Sequence, residues 1–351
     1  MRNRCVSAIS LTSGAMAGLL LLSAAPQALA WGSTGHRMIG LLGAEALPSD
    51  LPAFLHTPDT IEAIGELARE PDRWKGSGRT HDNMRDPAHF TDVYDDGTVL
   101  GGPALNALPT TREDFDKALA KVGSNSYRAG YLPYSIVDGW QQLLRDFAYW
   151  RIETAAIARE TRPERKAWLE HDLDERQALI VADLGIWAHY VGDGSQPLHV
   201  TVHYNGWGTT YPNGTPIPNP NGYTQDKVHG PFEGAFVRDN LKLDAVRAAM
   251  PAPARCAAAI DVCTAQYLSA TEATVVPFYE LQKTGAFAAP TPRGIAFATE
   301  RVAAGAAELR DLATLAWEAS ATAKIGYTLP IDVEDVASGK ADAWDALYGD
   351  D

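Results

Sequence analysis

Positive charge is in short supply in this chain. Thirty lysines and arginines stand against 44 aspartates and glutamates, a formal charge of −14 over 351 residues. Such a balance excludes a polybasic surface that grips nucleic acid or anionic lipid by charge alone, so a polyanionic substrate needs local cations, for example metals. Sulfur is scarce too: three cysteines provide no thiolate set for a metal. Val/Ile/Thr alternation over a strand length is rare, which argues against a large sheet. The longest apolar run, through Leu19 to Leu22, is shorter than the ~20 residues a spanning helix needs.

That run belongs to a secretory signal. Arg2 and Arg4 form a basic start, the apolar stretch follows, and Ala28-Leu29-Ala30 is a small-residue cleavage site. Cleavage there removes residues 1–30, leaves 321 residues, takes the formal charge to −16 and makes Trp31 the new N-terminus with a free α-amine. An exported, periplasmic or extracellular protein is expected. Cys5 leaves with the signal, and export favours a short-loop disulfide between Cys256 and Cys263 over two free buried thiols.

What remains reads as one mainly α-helical domain over 31–325, followed by an acidic tail or surface wrap over 326–351. Helical spacing of apolar and charged residues runs through Asp114–Val122, Ile136–Arg159, Pro163–Val191 and Gly294–Ala321. The fold class is all-α with irregular loops and at most a short hairpin, placed between Val200 and Tyr211. The stretch Tyr211 to Gly222, rich in Pro, Asn and Gly, is an irregular loop.

Two stretches flanking that loop carry chemistry. In His189-Tyr-Val-Gly-Asp193-Gly-Ser-Gln-Pro-Leu-His199, a helix continuing to Asp193 sets His189 and Asp193 at i and i+4 on one face. Gly194 and Pro197 then end the helix and turn His199 back. His229-Gly-Pro-Phe-Glu233 repeats the spacing of imidazole and carboxylate. One such pair alone is more often a helix end whose groups bond one another; two in an exported chain favour metal. Imidazoles with a few carboxylates and no thiolate suit zinc, or another imidazole-preferring divalent ion, better than calcium or magnesium. Upstream, Asp72 in Glu70-Pro-Asp-Arg-Trp74 and His89 beside Phe90 add a carboxylate and an imidazole. Taken alone, these two read as a turn or helix cap and a packed histidine.

The ordered set Trp31, His36, Asp72, His89, His189, Asp193, His199, His229 and Glu233 resembles the superfamily of trinuclear-zinc phosphodiesterases, the secreted single-strand-specific nucleases and the bacterial zinc-dependent phospholipases C. The resemblance implies three Zn2+ in one cleft. One would take Asp72, His89, His189 and an oxygen of Asp193; a second, His199, His229 and Glu233; a third, the α-amino nitrogen and carbonyl oxygen of Trp31, His36 and the other oxygen of Asp193. Water between two zinc ions would attack phosphorus, with Asp72 and Asp193 as catalytic carboxylates. Asp72, Asp193 and Glu233 half neutralise six positive charges, so the pocket attracts phosphate although the chain is acidic.

The nuclease branch is favoured by Trp31-Gly-Ser-Thr-Gly-His36, and by Phe90 and Asp92 where nucleases stack a base and bond its edge. Glu233 in place of the usual Asp, the sequence His229 to Phe236 and the long interval from His89 to His189 lean toward the phospholipases. The extra material around Tyr131 to Glu170 is a candidate roof over the cleft. The expected activity is endonucleolytic hydrolysis of single-stranded DNA and RNA to 5′-phosphate products, with accompanying 3′-nucleotidase activity. The alternatives are a phospholipase C acting on phospholipid head groups and a non-catalytic secreted zinc-binding protein. Partners are the nucleic acid or nucleotide substrate, or phospholipid; no protein partner is implied and a monomer is expected. His56, His81, His171 and His203 are read as ordinary side chains.

Overall fold

The computed structural model describes residues 31–326 and 330–348, so the predicted signal lies outside the described residues. The chain is mainly helical. The first helix, α1 (Gly32–Glu45), is followed by α2 (Pro58–Leu67), whose N-terminus is capped by the Thr57 hydroxyl accepting from the Thr60 amide. The two longest connected helices are α3 (Leu132–Arg159) and α4 (Pro163–Asp193), each with a proline in its first turn, where the missing N–H costs nothing. Ile260–Glu272 forms α5 and Pro292–Ser320 forms α6. A third segment of helical periodicity, Arg112–Lys121, is capped by Thr111.

Packing follows the apolar stripes. The α3 and α4 helices lie along one another, and α1 packs against α2, α4 and α6. One large core gathers Ile64, Phe115, Ile136, Phe147, Leu184 and Trp317. A second gathers Trp31, Ile39, Phe232, Phe278 and Val302 on the other side of α1. At about 25 cal/mol per Å² of apolar surface, these cores hold the helices that carry the site. Gly192 is what lets α4 approach α1: a Cβ there would meet Ile39 at 3.0 Å and His36 Nδ1 at 3.2 Å.

Among the described residues the only sheet is a two-stranded antiparallel hairpin, β1 (Lys324–Ile325) with β2 (Ile331–Asp332). The expected hairpin between Val200 and Tyr211 does not form. That segment carries only the isolated bridges Tyr204–Gly206 and Thr210–Pro216, and Gly206, at φ +104°, breaks the extended run. Cys256 and Cys263 are disulfide-bonded at the entry to α5. No described helix is long and apolar enough to cross a membrane.

Candidate metal centre

Eight of the side chains singled out in the sequence converge, and six local elements position them. His36 sits on α1 and is fully buried. Asp72 lies in the short helix Glu70–Arg73, and His89 ends the 3₁₀ turn Asp86–His89. His189 and Asp193 occupy the last turn of α4, both with no exposed surface, and His199 ends the next 3₁₀ turn, Pro197–His199. Glu233 lies on a π-helical turn, Pro231–Phe236, with His229 just before it. Such widened turns recur at functional sites because the extra residue re-aims a side chain.

Three buried groups capable of holding metal ions result: His36, His189 and Asp193; Asp72, His89 and His189; and His199, His229 and Glu233. Within each, the candidate ligand atoms lie within 4.8 Å of one another. Asp193 Oδ1 is 3.4 Å from His36 Nε2, and its Oδ2 is 3.4 Å from His189 Nε2. Asp72 Oδ1 is 3.9 Å from both His89 Nε2 and His189 Nε2. Glu233 Oε2 is 2.8 Å from His229 Nε2 and 3.6 Å from His199 Nε2. Tetrahedral ligands at 2.0–2.1 Å from a common ion stand roughly 3.3 Å apart, so the set needs only small shifts to close on a metal.

Ring orientation makes the stronger case. His89 Nδ1 donates to the Arg85 carbonyl (2.7 Å), His189 Nδ1 to the Ala68 carbonyl (2.8 Å) and His199 Nδ1 to the His89 carbonyl (2.6 Å). Each bond fixes the tautomer that leaves Nε2 as a bare lone pair aimed into the cluster, the usual second bond of a metal-ligating histidine. Several of the inward atoms have no hydrogen-bond partner: His36 Nε2, His89 Nε2, His189 Nε2, both oxygens of Asp193 and Glu233 Oε1. Stranding so many buried polar atoms would be costly, since each carries a desolvation penalty of about 1–3 kcal/mol.

Electrostatics point the same way. Burial holds His36, His89, His189 and His199 below the ordinary imidazole value, with His189, Lys75 and His199 adding repulsion, so the rings stay neutral, as ligands must. Burial, reinforced by Asp72, pushes Asp193 well above the usual carboxylate range. Burial alone would raise Glu233 as well, but the His229 and His199 contacts bring it down to about 2.

Trp31 is buried beneath this cluster, its indole donating to the Gly192 carbonyl (2.8 Å) and to Ser195 Oγ (3.0 Å). Above it, a cavity of about 360 Å³ opens onto His89, His199 and His229, walled by Phe90, Asp92 and Tyr204. None of its lining comes from 131–170, so the extra helical material does not roof the cavity; it runs along α4 instead. Phe90 is held at the wall by Gly130, whose φ of +73° admits no side chain: a Cβ would lie 2.0 Å from the Phe90 carbonyl oxygen. Burial pushes Asp92 well above the usual carboxylate range.

Several residues of the site escaped the sequence reading. Lys75 Nζ forms an ion pair with Asp72 Oδ1 at 2.6 Å and lines the cavity; the Asp-x-x-Lys spacing on a helical turn was its only signal. Gln196 donates to Glu233 Oε2 (3.1 Å), and Asn205 Oδ1 accepts the His229 amide (3.2 Å). Of the other histidines, His203 is packed flat on Trp207 and bonded to Asp95 (2.8 Å), outside the three groups. Comparison with family models, curated proteins and solved structures returns no match.

Proposed function

We propose that the protein is a secreted zinc-dependent phosphodiesterase that hydrolyses single-stranded DNA and RNA to 5′-phosphate products. The observation that carries the reading is the placement of two metal-capable groups, through His89, His199 and His229, on the floor of an open cavity walled by an aromatic and a carboxylate. Zinc would be held by Asp72, His89, His189 and Asp193, by His199, His229 and Glu233, and by His36 and Asp193 with the α-amine of Trp31 once residues 1–30 are removed. When bound it supplies Lewis acidity to the phosphodiester and a low-pKa water.

The chain's own residues supply the rest. Phe90 offers a face on which a base stacks, and Asp92 stands beside it on the cavity wall to bond the base edge. Lys75 holds Asp72 in place and adds positive charge beside the phosphate. The lining includes the cations Lys75 and Arg128 beside three imidazoles, with Leu198 the one aliphatic side chain, and the two cations suit a phosphate-bearing nucleotide. The Cys256–Cys263 bridge is in keeping with export.

The test is hydrolysis by the mature, zinc-loaded protein of single-stranded DNA beside phosphatidylcholine, with a chelator control. Chelator-sensitive DNA cleavage is expected. Lipid turnover alone would replace the reading with a phospholipase C, and silence on both substrates at full zinc content would leave a zinc-binding protein.

A further inference from the structure

About half of the described arginines are taken up by carboxylates, among them Arg37 by Glu66, Arg176 by Asp146, Arg247 by Glu45 and Arg310 by Asp311. Four of the others are grouped here: Arg128 lines the metal cavity, Arg112 lines the adjoining one, and Arg85 and Arg79 lie on or shortly before the segment Met84–Phe90 between them. Arg79, Arg85, Arg112 and Arg128 have no ion pair with a carboxylate among the described residues. Three of them instead lie over aromatic rings: Arg79 over Tyr127 (5.1 Å), Arg85 over Trp74 (4.9 Å) and Arg112 over Tyr131 (3.7 Å). A guanidinium on a ring keeps its charge and its outward N–H groups.

Their placement is continuous. The segment Met84–Phe90 forms a ridge between two cavities: Asp86, His89 and Phe90 face the metal cavity, while Met84 and Ala88 face a neighbour of about 400 Å³. Tyr131, Arg112, Gln142, Trp187 and Tyr190 complete that second cavity. Tyr131 is fastened to the ridge by its hydroxyl, which donates to the Met84 carbonyl, and by its amide, which donates to Pro87 (2.7 Å). Arg85 joins the ridge to the metals directly, because its carbonyl accepts His89 Nδ1–H. Asp138 and Asp183 also line the second cavity, so its inner wall repels phosphate and accepts amino groups, while the arginines lie toward the ridge.

We infer that the second cavity and the ridge arginines form a subsite for the nucleotide adjoining the reacting one: its base enters the cavity against Tyr190, and the strand's phosphates cross the ridge along Arg79, Arg85 and Arg112. The inference rests on the phosphodiesterase reading of the metal cavity. Alternating cations and rings suit a single strand, whose unstacked bases and regularly spaced charges need both.

The experiment is fluorescence anisotropy of a labelled, phosphorothioate-linked dT12 on the mature zinc-loaded protein across a salt series, with cleavage of unmodified dT12 followed in parallel. Each phosphate contact on a single strand contributes about 0.7 to the slope of log K against log salt. The triple variant R79A/R85A/R112A should therefore lose about 2 from the wild-type slope. Arg79→Ala alone, at an exposed position, should lose about 0.7, which covers the case in which the triple variant folds poorly. Arg293→Ala, exposed and on α6, should change nothing. An unchanged slope in the folded variants, or no binding by the wild type, overturns the subsite. Cleavage with an unmoved slope sinks the subsite and leaves the phosphodiesterase; binding with the expected slope loss but no cleavage does the reverse.

Discussion

Two of the polar clusters buried among the described residues are built on opposite plans. At the candidate metal centre, His89, His189 and His199 turn Nδ1 to backbone carbonyls and so aim Nε2 into the groups that contain Asp72, Asp193 and Glu233. Between α3 and α4, Asp146 and Glu153 face Arg176, at 3.0 Å and 3.5 Å, with Asp183 and Asp172 on the α4 side and Tyr149 under the guanidinium. There the cation is a side chain, and burial, with Asp183 and Asp172 adding to it, raises Asp146 and Glu153 to about 7. Burial and unpartnered oxygens are common to both clusters, since Glu153 too has no hydrogen bond. What distinguishes a metal centre is the direction its rings are made to face.

The sharpest way to break that distinction is to remove the carboxylate proposed to serve two ions. Asp193→Asn should strip metal from the group it forms with His36 and His189 and lower turnover by on the order of 10³-fold, the equivalent of about 4 kcal/mol. Metal analysis of the purified variant reads the first effect and single-strand hydrolysis the second. Chelation comes next. Ions at 1,000 times their Kd stabilise the folded state by about 4 kcal/mol, so a chelator should lower Tm by roughly 10 °C in calorimetry. The chelated protein should then weaken as pH falls through the ordinary histidine value of about 6.5, because unfolded imidazoles take up protons there and the buried ones do not.

Lys75→Met should cost a smaller 10- to 100-fold in kcat/KM, the usual range for a residue acting behind a ligand. Retention of all metal with kcat/KM unchanged would remove Lys75 from the site. Glu153→Gln should be smallest and of opposite sign. Native Glu153 keeps its proton up to about pH 7 while the unfolded chain releases it near 4.3, so wild-type stability falls as pH rises between those values. The neutral variant should lose that slope, melt a few degrees higher than wild type at pH 8, about 2–4 °C per kcal/mol gained, and keep its metal.

Much of this was legible in the sequence because it is local. Helical periodicity exposed the long helices, and the i, i+4 spacing exposed His189 with Asp193 and His229 with Glu233. His36, Asp72 and His89 were legible only as part of an ordered family pattern, since nothing near them in sequence marks them as ligands. The carbonyls of Ala68 and His89 that orient His189 and His199 lie 121 and 110 residues away, and backbone acceptors carry no sequence signal. Lys75 was missed although its spacing to Asp72 is readable, because a lysine beside acidic residues usually marks a solvated surface. The π-helical turn under Glu233 was read as an ordinary i, i+4 pair, the two differing by a single residue in the turn.

The loop Tyr211–Gly222 has one more consequence. It is largely exposed and lies between His199 and His229, two members of one metal-capable group. A protease that nicks it yields two fragments, one ending shortly after His199 and the other beginning shortly before His229. With metal bound, the ions act as a clasp, so the nicked molecule should elute intact from a sizing column while running as two bands under denaturing conditions. Adding chelator should then loosen the halves, and reading their separation would report the clasp's strength without any substrate.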